Sequence, residues 1–187
     1  MANVKKSRAI PSKVVKLKRS AEAKNKIMGM YRRHVSRLRA ARAARPIEVN
    51  QTTTIIGTDD TWFNAAVITR DPAWVEVPGA NYVWNARDLG SQTAIISNTF
   101  RITRRINSAR LLLSVDNYAA VFINGRAVVF DQPQNTPSFF NPGRSLNIAS
   151  FLRRGSNDIV IIAFNFGAPR TPANPAGVAA RLTIRLR

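Results

Sequence analysis

The amino-acid sequence predicts an all-β fold, an antiparallel β-sandwich, preceded by a basic arm and an amphipathic helix. Two observations support this prediction. After residue 47, short runs rich in Val, Ile and Phe alternate with turn segments rich in Pro, Gly and Asn, which is typical of sandwiches. Before that point Lys and Arg dominate, and the period of two is absent. We therefore divide the chain into an extended arm (1–19), a helix (20–45) and a sandwich domain (47–187).

The positive charge is concentrated near the N-terminus. The first 46 residues hold fifteen Lys and Arg and one acid, Glu22, whereas the remaining 141 hold fourteen basic and nine acidic residues. Of the formal net charge of +19, +14 therefore lies in the first quarter of the chain. Clustered charge of one sign repels itself, so it indicates a polyanionic partner such as nucleic acid, an acidic protein surface or anionic lipid.

The arm, residues 1–19, alternates basic and small apolar residues around Pro11 without a sustained helical period. This pattern predicts a segment that stays extended until it meets a partner. In the helix that follows, Ser20 is a suitable N-cap, Glu22 lies in the first turn and Pro46 ends the element at residue 45. Apolar residues at helical spacing form one face, which we predict docks on a partner protein: Ile27, Met30, Tyr31, Val35 and Leu38.

The basic side chains of the arm and helix form the predicted polyanion-binding set. They are Lys5, Lys6, Arg8, Lys13, Lys16, Lys18, Arg19, Arg32, Arg33, Arg37, Arg39 and Arg42. No aromatic residues are interleaved with them in the way that base stacking would require, so they indicate phosphate neutralisation with a steep salt dependence rather than sequence readout. Three partners stay open for this region: nucleic acid, another protein and an anionic membrane surface.

The period of two after residue 47 predicts the following strands: Glu48–Ile56, Thr93–Arg101, Ala109–Val115, Ala119–Ile123, Ala127–Phe130, Asp158–Asn165 and Val178–Arg187. The clearest turn is Asn124-Gly125, a dipeptide suited to a type I′ hairpin. Residues 167–177, rich in Pro and Ala, are predicted to form a surface loop before the last strand. Trp62, Trp74 and Trp84 are expected to lie in the sandwich core.

Several motifs follow one another in a recognisable order along the domain. They are TDDTW (58–62), PAW (72–74), GANYVW (79–84), TFRI (99–102), ARLLLSVDNYAAVFING (109–125), LNIASFL (146–152), RGSN (154–157) and AGVAARL (176–182). With these motifs, residues 58–187 resemble the galactose-binding-like jelly-roll modules appended to many glycosidases. The resemblance implies a jelly-roll sandwich, but such modules bind sugars or other proteins, so it indicates the fold better than the function.

The resemblance also implies where ligands would bind. A calcium ion lies near the start of the sandwich in related modules, where Asp59 or Asp60 would supply oxygen ligands, and the alternative role of this pair is a turn. Aromatic residues that would stack on a sugar ring, unless they lie in the core or an interface, are Trp74, Tyr82, Phe139 and Phe140.

The sequence offers little for catalysis. His34 is the only histidine and the chain has no cysteine, so neither a nucleophilic triad nor a transition-metal cluster can be assembled. Asp59 and Asp60 are adjacent, which on a strand directs them to opposite faces. No Gly-rich phosphate loop is present. We therefore expect a protein that is not an enzyme, needs no cofactor and has no metal site.

These observations together favour a structural protein, specifically a minor or cementing component of a virus capsid that is assembled into the virion. A basic arm ahead of a jelly roll resembles the arrangement in many viral capsid proteins. The sandwich would pack among other capsid proteins, and residues 1–45 would tether it to neighbouring subunits or genomic nucleic acid. No run approaches the roughly 20 apolar residues that span a bilayer. Two alternatives stay open: a carbohydrate-binding module with a basic anchoring helix, and a non-specific nucleic-acid-binding protein.

Overall fold

A computed structural model of the chain describes residues 12–40, 47–131 and 143–187, with side chains described in the helix only for residues 21–38. Several predictions fall outside this range. They concern residues 1–11, the predicted end of the helix at 41–45, and the aromatic pair Phe139 and Phe140.

The described residues form one long helix, eleven strands and a short 3-10 turn, Ala149–Phe151. The strands assemble into two sheets. The first sheet has the order β1-β5-β10-β7-β8, and the second has the order β3-β4-β11-β6-β9 with β2 also paired to β11. The elements are α1 Ser12–Ala40, β1 Ile47–Val49, β2 Thr53–Gly57, β3 Ala65–Val67, β4 Val83–Asn85, β5 Thr93–Ile102, β6 Ile106–Asp116, β7 Tyr118–Ile123, β8 Arg126–Phe130, β9 Arg144–Asn147, β10 Gly155–Phe164 and β11 Gly177–Leu186.

This topology confirms the predicted fold class, an antiparallel sandwich preceded by a helix. Except for the parallel pair β1–β5, every strand pair in both sheets is antiparallel. Successive long strands alternate between the sheets, since β5, β7 and β10 lie in the first and β6 and β11 in the second. The chain thus wraps back and forth between two layers in the manner of a jelly roll.

The main core lies between the two sheets. Phe100, Ile161 and Val121 from the first sheet face Leu113 and Leu182 from the second, and all five are fully buried. Trp62 and Trp84 belong to this core, as predicted, at 2% and 0% exposure. Trp74 is also buried but packs with Tyr82 and Ala179 in a separate cluster.

The strand predictions need two kinds of correction, one strand that is interrupted and three that were not predicted. The predicted run Glu48–Ile56 is interrupted at 50–52, because β1 pairs with β5 in the first sheet whereas β2 pairs with β11 in the second. Strands β3, β4 and β9 were not predicted. Each has only three or four residues, which is too short for a period of two to stand out from its neighbours.

The helix begins earlier than predicted. Helix α1 starts at Ser12, so residues 12–19 are helical and not part of an extended arm. Residues 12–28 contain neither Gly nor Pro, and their many Lys, Arg, Leu and Ala residues favour helix. The 29 residues of α1 make a rod of roughly 44 Å.

Candidate polyanion interface

One face of α1 packs against the outer surface of the first sheet. Ile27 is 2% exposed and joins a cluster with alternate residues of two central strands. The ring of Tyr31 lies 4.5 Å from that of Phe122, centroid to centroid. The sheet residues of this cluster are Tyr118, Ala120 and Phe122 from β7 and Val160, Ile162 and Phe164 from β10.

This packing corrects the prediction that the apolar stripe docks on a partner protein. Ile27 lies in the cluster, Met30, Tyr31 and Val35 are partly buried against it, and Leu38 is partly buried as well. The surface that receives them belongs to the same chain. A signal of this was present in the sequence: β7 and the second half of β10 are apolar at nearly every position, which is typical of strands covered on both faces.

His34 fixes the helix to the first sheet by a polar contact. Its Nε2 atom lies 2.9 Å from Oγ of Ser97 on β5, and its ring meets the ring of Phe63 edge to face at 5.4 Å. Burial, and to a smaller extent the charges of Arg37 and Arg87, lower the pKa of His34 to about 4. The imidazole is therefore neutral at pH 7, and its role is structural.

The opposite face of α1 is cationic and open to solvent. The described basic side chains of the helix are all exposed: Lys24, Lys26, Arg32, Arg33 and Arg37. Glu22 is the only acidic residue between residues 12 and 40. Among the described side chains an ion pair joins Arg144 to Asp131 at 2.8 Å within the sandwich, and none of these five exposed cations forms an ion pair with a described carboxylate.

The remaining members of the predicted polyanion-binding set are placed less fully. The backbones of Lys13, Lys16, Lys18, Arg19 and Arg39 lie on α1, and their side chains are not described. Lys5, Lys6, Arg8 and Arg42 fall outside the described residues. The exposed cations of α1 are thus Arg32, Arg33 and Arg37 from the predicted set, together with Lys24 and Lys26, two lysines that the set omitted.

Three of the sugar-stacking and calcium candidates within the described range, Trp74, Tyr82 and Asp59, are engaged elsewhere. Trp74 and Tyr82 are each 3% exposed; the indole Nε1 of Trp74 donates to Oδ2 of Asp116 at 3.0 Å. Neither ring can therefore stack on a sugar. Asp59 accepts a hydrogen bond from the backbone N–H of Thr61 at 2.9 Å, as a turn residue does. No group of three or more metal-ligating side chains lies together among the described residues.

Sequence reasoning did not find two polar features of the structure. Asp116 is 4% exposed, and burial raises the pKa of its carboxyl group above the usual range. A cavity of about 180 Å³ lies where α1 meets the sandwich near β4 and β5. The residues that line it include His34, Arg37, Phe63, Asn64, Asn85 and Arg87. Both features bring together residues far apart in the chain.

The described helix does not span a membrane: no stretch of it has the length and hydropathy that a bilayer crossing requires.

No family model matches the sequence, and no curated protein matches it. Solved structures with some similarity include a family 35 carbohydrate-binding module from an environmental isolate, with 14% identity and a TM-score of 0.42 over 71% of this chain and 97% of that one. The family 35 module of Abf62 from Cellvibrio japonicus has 12% sequence identity and a TM-score of 0.37 over 71% of this chain and 97% of that one. The α-L-rhamnosidase of Dictyoglomus thermophilum has 15% sequence identity and a TM-score of 0.40 over 74% of this chain. The matched part spans 14% of the enzyme's length.

Proposed function

We propose that this protein is a non-enzymatic binding module that attaches a β-sandwich to a polyanionic partner through the outer face of α1. The observation that carries the proposal is that the apolar and the cationic residues of α1 lie in different surroundings. Its apolar face is buried on the first sheet, and its cationic face is thereby held outward on a folded scaffold. Charge held in place costs less entropy on binding than charge on a disordered arm.

The charge of this face suits a phosphate backbone. Lys26, Arg32 and Arg33 lie within two turns of one another, and no described carboxylate pairs with them. Each phosphate that a protein neutralises contributes about −0.9 to the slope of log K against log salt for duplex DNA, because a condensed counterion is released. Three such contacts contribute a slope of about −2.7.

In its more specific form, the proposal makes the partner a virus capsid and its genome. The sandwich would pack among other shell proteins as a minor or cementing component in the virion, and α1 would contact neighbouring subunits or nucleic acid. What supports this form is the sequence arrangement, a strongly basic segment ahead of a sandwich with little catalytic equipment. Co-purification of the protein with particles, and its loss when the helix charges are removed, would test it.

A second candidate is carbohydrate binding, the function implied by the sequence resemblance of residues 58–187 and the one for which the similar family 35 modules are named. Because Trp74 and Tyr82 are buried, a sugar would need other side chains on which to stack. Binding of the full chain to a glycan array, unaffected by removal of the helix charges, would favour this candidate over the first.

The decisive experiment compares two variants that lose the same charge. In the test variant Lys26, Arg32 and Arg33 become Gln, and in the control Arg101, Arg104 and Arg105, which are exposed at and beyond the far end of β5, become Gln. Affinity for a labelled 20-base-pair duplex and for heparin is measured from 50 to 300 mM salt. We expect the test variant to bind more weakly, with a slope smaller by about 2 to 3, and the control to stay near the unmodified protein. An equal loss of affinity in both variants would mean that binding depends on net charge alone, and it would contradict the proposal.

A further inference from the structure

Polar and cationic side chains from the helix and the sandwich line the cavity between them. From the helix it receives Arg37 and the neutral ring of His34, and from the segment at the end of β4 it receives Asn85 and Arg87. Asn64, which lies just before β3, and Thr93 on β5 also line it. The site exists only because the helix lies on the sheet, and it brings together residues more than 50 positions apart in the chain, such as His34 and Arg87.

We propose that this cavity binds a small oxyanion, a phosphate monoester or a carboxylate. The anionic group would lie between Arg37 and Arg87. This site uses Arg37 at the edge of the helix, whereas the proposed attachment of a polymer rests on Lys26, Arg32 and Arg33.

The two arginines are available for an anion. Neither forms an ion pair with any described carboxylate, although they line one cavity from two different elements. Both line the same cavity as His34, and the charge of each lowers the pKa of the imidazole. A guanidinium presents paired N–H donors in a planar fork that matches carboxylate and phosphate oxygens. Both arginine side chains are exposed, so an anion that enters the cavity from solvent would be attracted to each of them.

The size of the cavity suits a small ligand. Its volume of about 180 Å³ is more than ten times the roughly 10–15 Å³ that a single bound water requires. A three-carbon phosphate monoester or carboxylic acid fits within that space. Phe63 and Ile95 on the wall would contact the carbon skeleton.

His34 allows a direct test, because it is the only histidine of the chain and lies in the cavity wall. We would follow its imidazole resonances by NMR in the full chain, prepared without a histidine tag, while adding glycerol 3-phosphate, inorganic phosphate, lactate or glycerol. A saturable shift with glycerol 3-phosphate, lactate or both is expected, and the responding probe identifies phosphate or carboxylate as the anion. Glycerol should give none. The bound anion offsets the charges of Arg37 and Arg87, so the pKa of His34 should rise above about 4.

The control variants separate a site from general attraction to a basic protein. Arg87→Gln should weaken binding of the responding probe at least tenfold, while Arg101→Gln, an exposed position at the far end of β5, should leave it unchanged. Equal weakening in both, or no saturable shift with any anion, would overturn the proposal. Arg87→Gln should also leave duplex binding by the outer helix face intact, so the failure of one proposal is distinguishable from failure of the other.

Discussion

Replacing Ile27 by Ala tests whether the helix is part of the folded domain. Ile27 is 2% exposed in the cluster between α1 and the first sheet. The substitution removes three carbon groups at about 0.8 kcal/mol each, and the cavity left behind adds to this loss. We therefore expect the free energy of unfolding to fall by about 3 kcal/mol. A helix that waits for a partner protein, as the sequence predicted, would give almost no change.

The measurement is urea unfolding followed by the fluorescence of the three buried tryptophans, together with the rate of trypsin cleavage after Arg32 and Arg33. Faster cleavage reports undocking of the helix even where the sandwich stays folded. The matched control is Asn25→Ala, two residues earlier on the same helix and exposed, which should change stability by less than about 0.5 kcal/mol. Unchanged stability and cleavage in Ile27→Ala would refute the docking described above.

Three further perturbations probe buried polar groups and a close backbone approach. The folded-state pKa of His34 is lowered to about 4 from about 6.5 in the unfolded chain. The stability contributed by neutral His34 is therefore present above pH 6.5 and lost as the pH falls toward 4. His34→Gln should flatten this part of a plot of unfolding free energy against pH. The pKa of Asp116 is raised, so its burial is least costly at low pH and the cost grows as the pH rises through the folded pKa. Asp116→Asn should therefore raise the thermal midpoint of unfolding more at pH 8 than at pH 4. The opposite order would contradict a raised pKa for this carboxyl group. A Cβ at Gly57 would lie 1.8 Å from the carbonyl oxygen of Gly79, so Gly57→Ala should lower the free energy of unfolding by more than about 3 kcal/mol, whereas at Gly90, where the nearest atom is 3.4 Å away, the same change should cost about 1 kcal/mol or less.

Features set by neighbouring residues were predictable from the sequence. The hairpin at Asn124-Gly125 has φ of 50° and 80° at its two central residues, as a type I′ turn requires. The side-chain amide of Asn124 also bonds to Asn157 at 2.8 Å, tying this turn to the RGSN motif. Both motifs specify local backbone shape, which a sequence pattern carries directly.

Features set by distant pairing were not predictable in the same way. The helix was recognised as amphipathic, but its partner surface lies on β7 and β10, about 90 to 130 residues later in the chain. The contact between His34 and Ser97 spans 63 positions, and a lone histidine gives no sign of it. The cavity containing Arg37 and Arg87 follows from that docking. The spacing of apolar residues along a helix indicates that one face is apolar, but it does not indicate which surface covers that face.

The position of β11 has a consequence for biosynthesis. This strand joins β2, β4 and β6 in the second sheet, and Gly57 on β2 meets Arg181 on β11. Until residues 177–186 emerge from the ribosome, the apolar sides of β2 and β6 have no neighbour between them. Such distant pairing slows folding, and the second sheet cannot be completed until β11 has been synthesised.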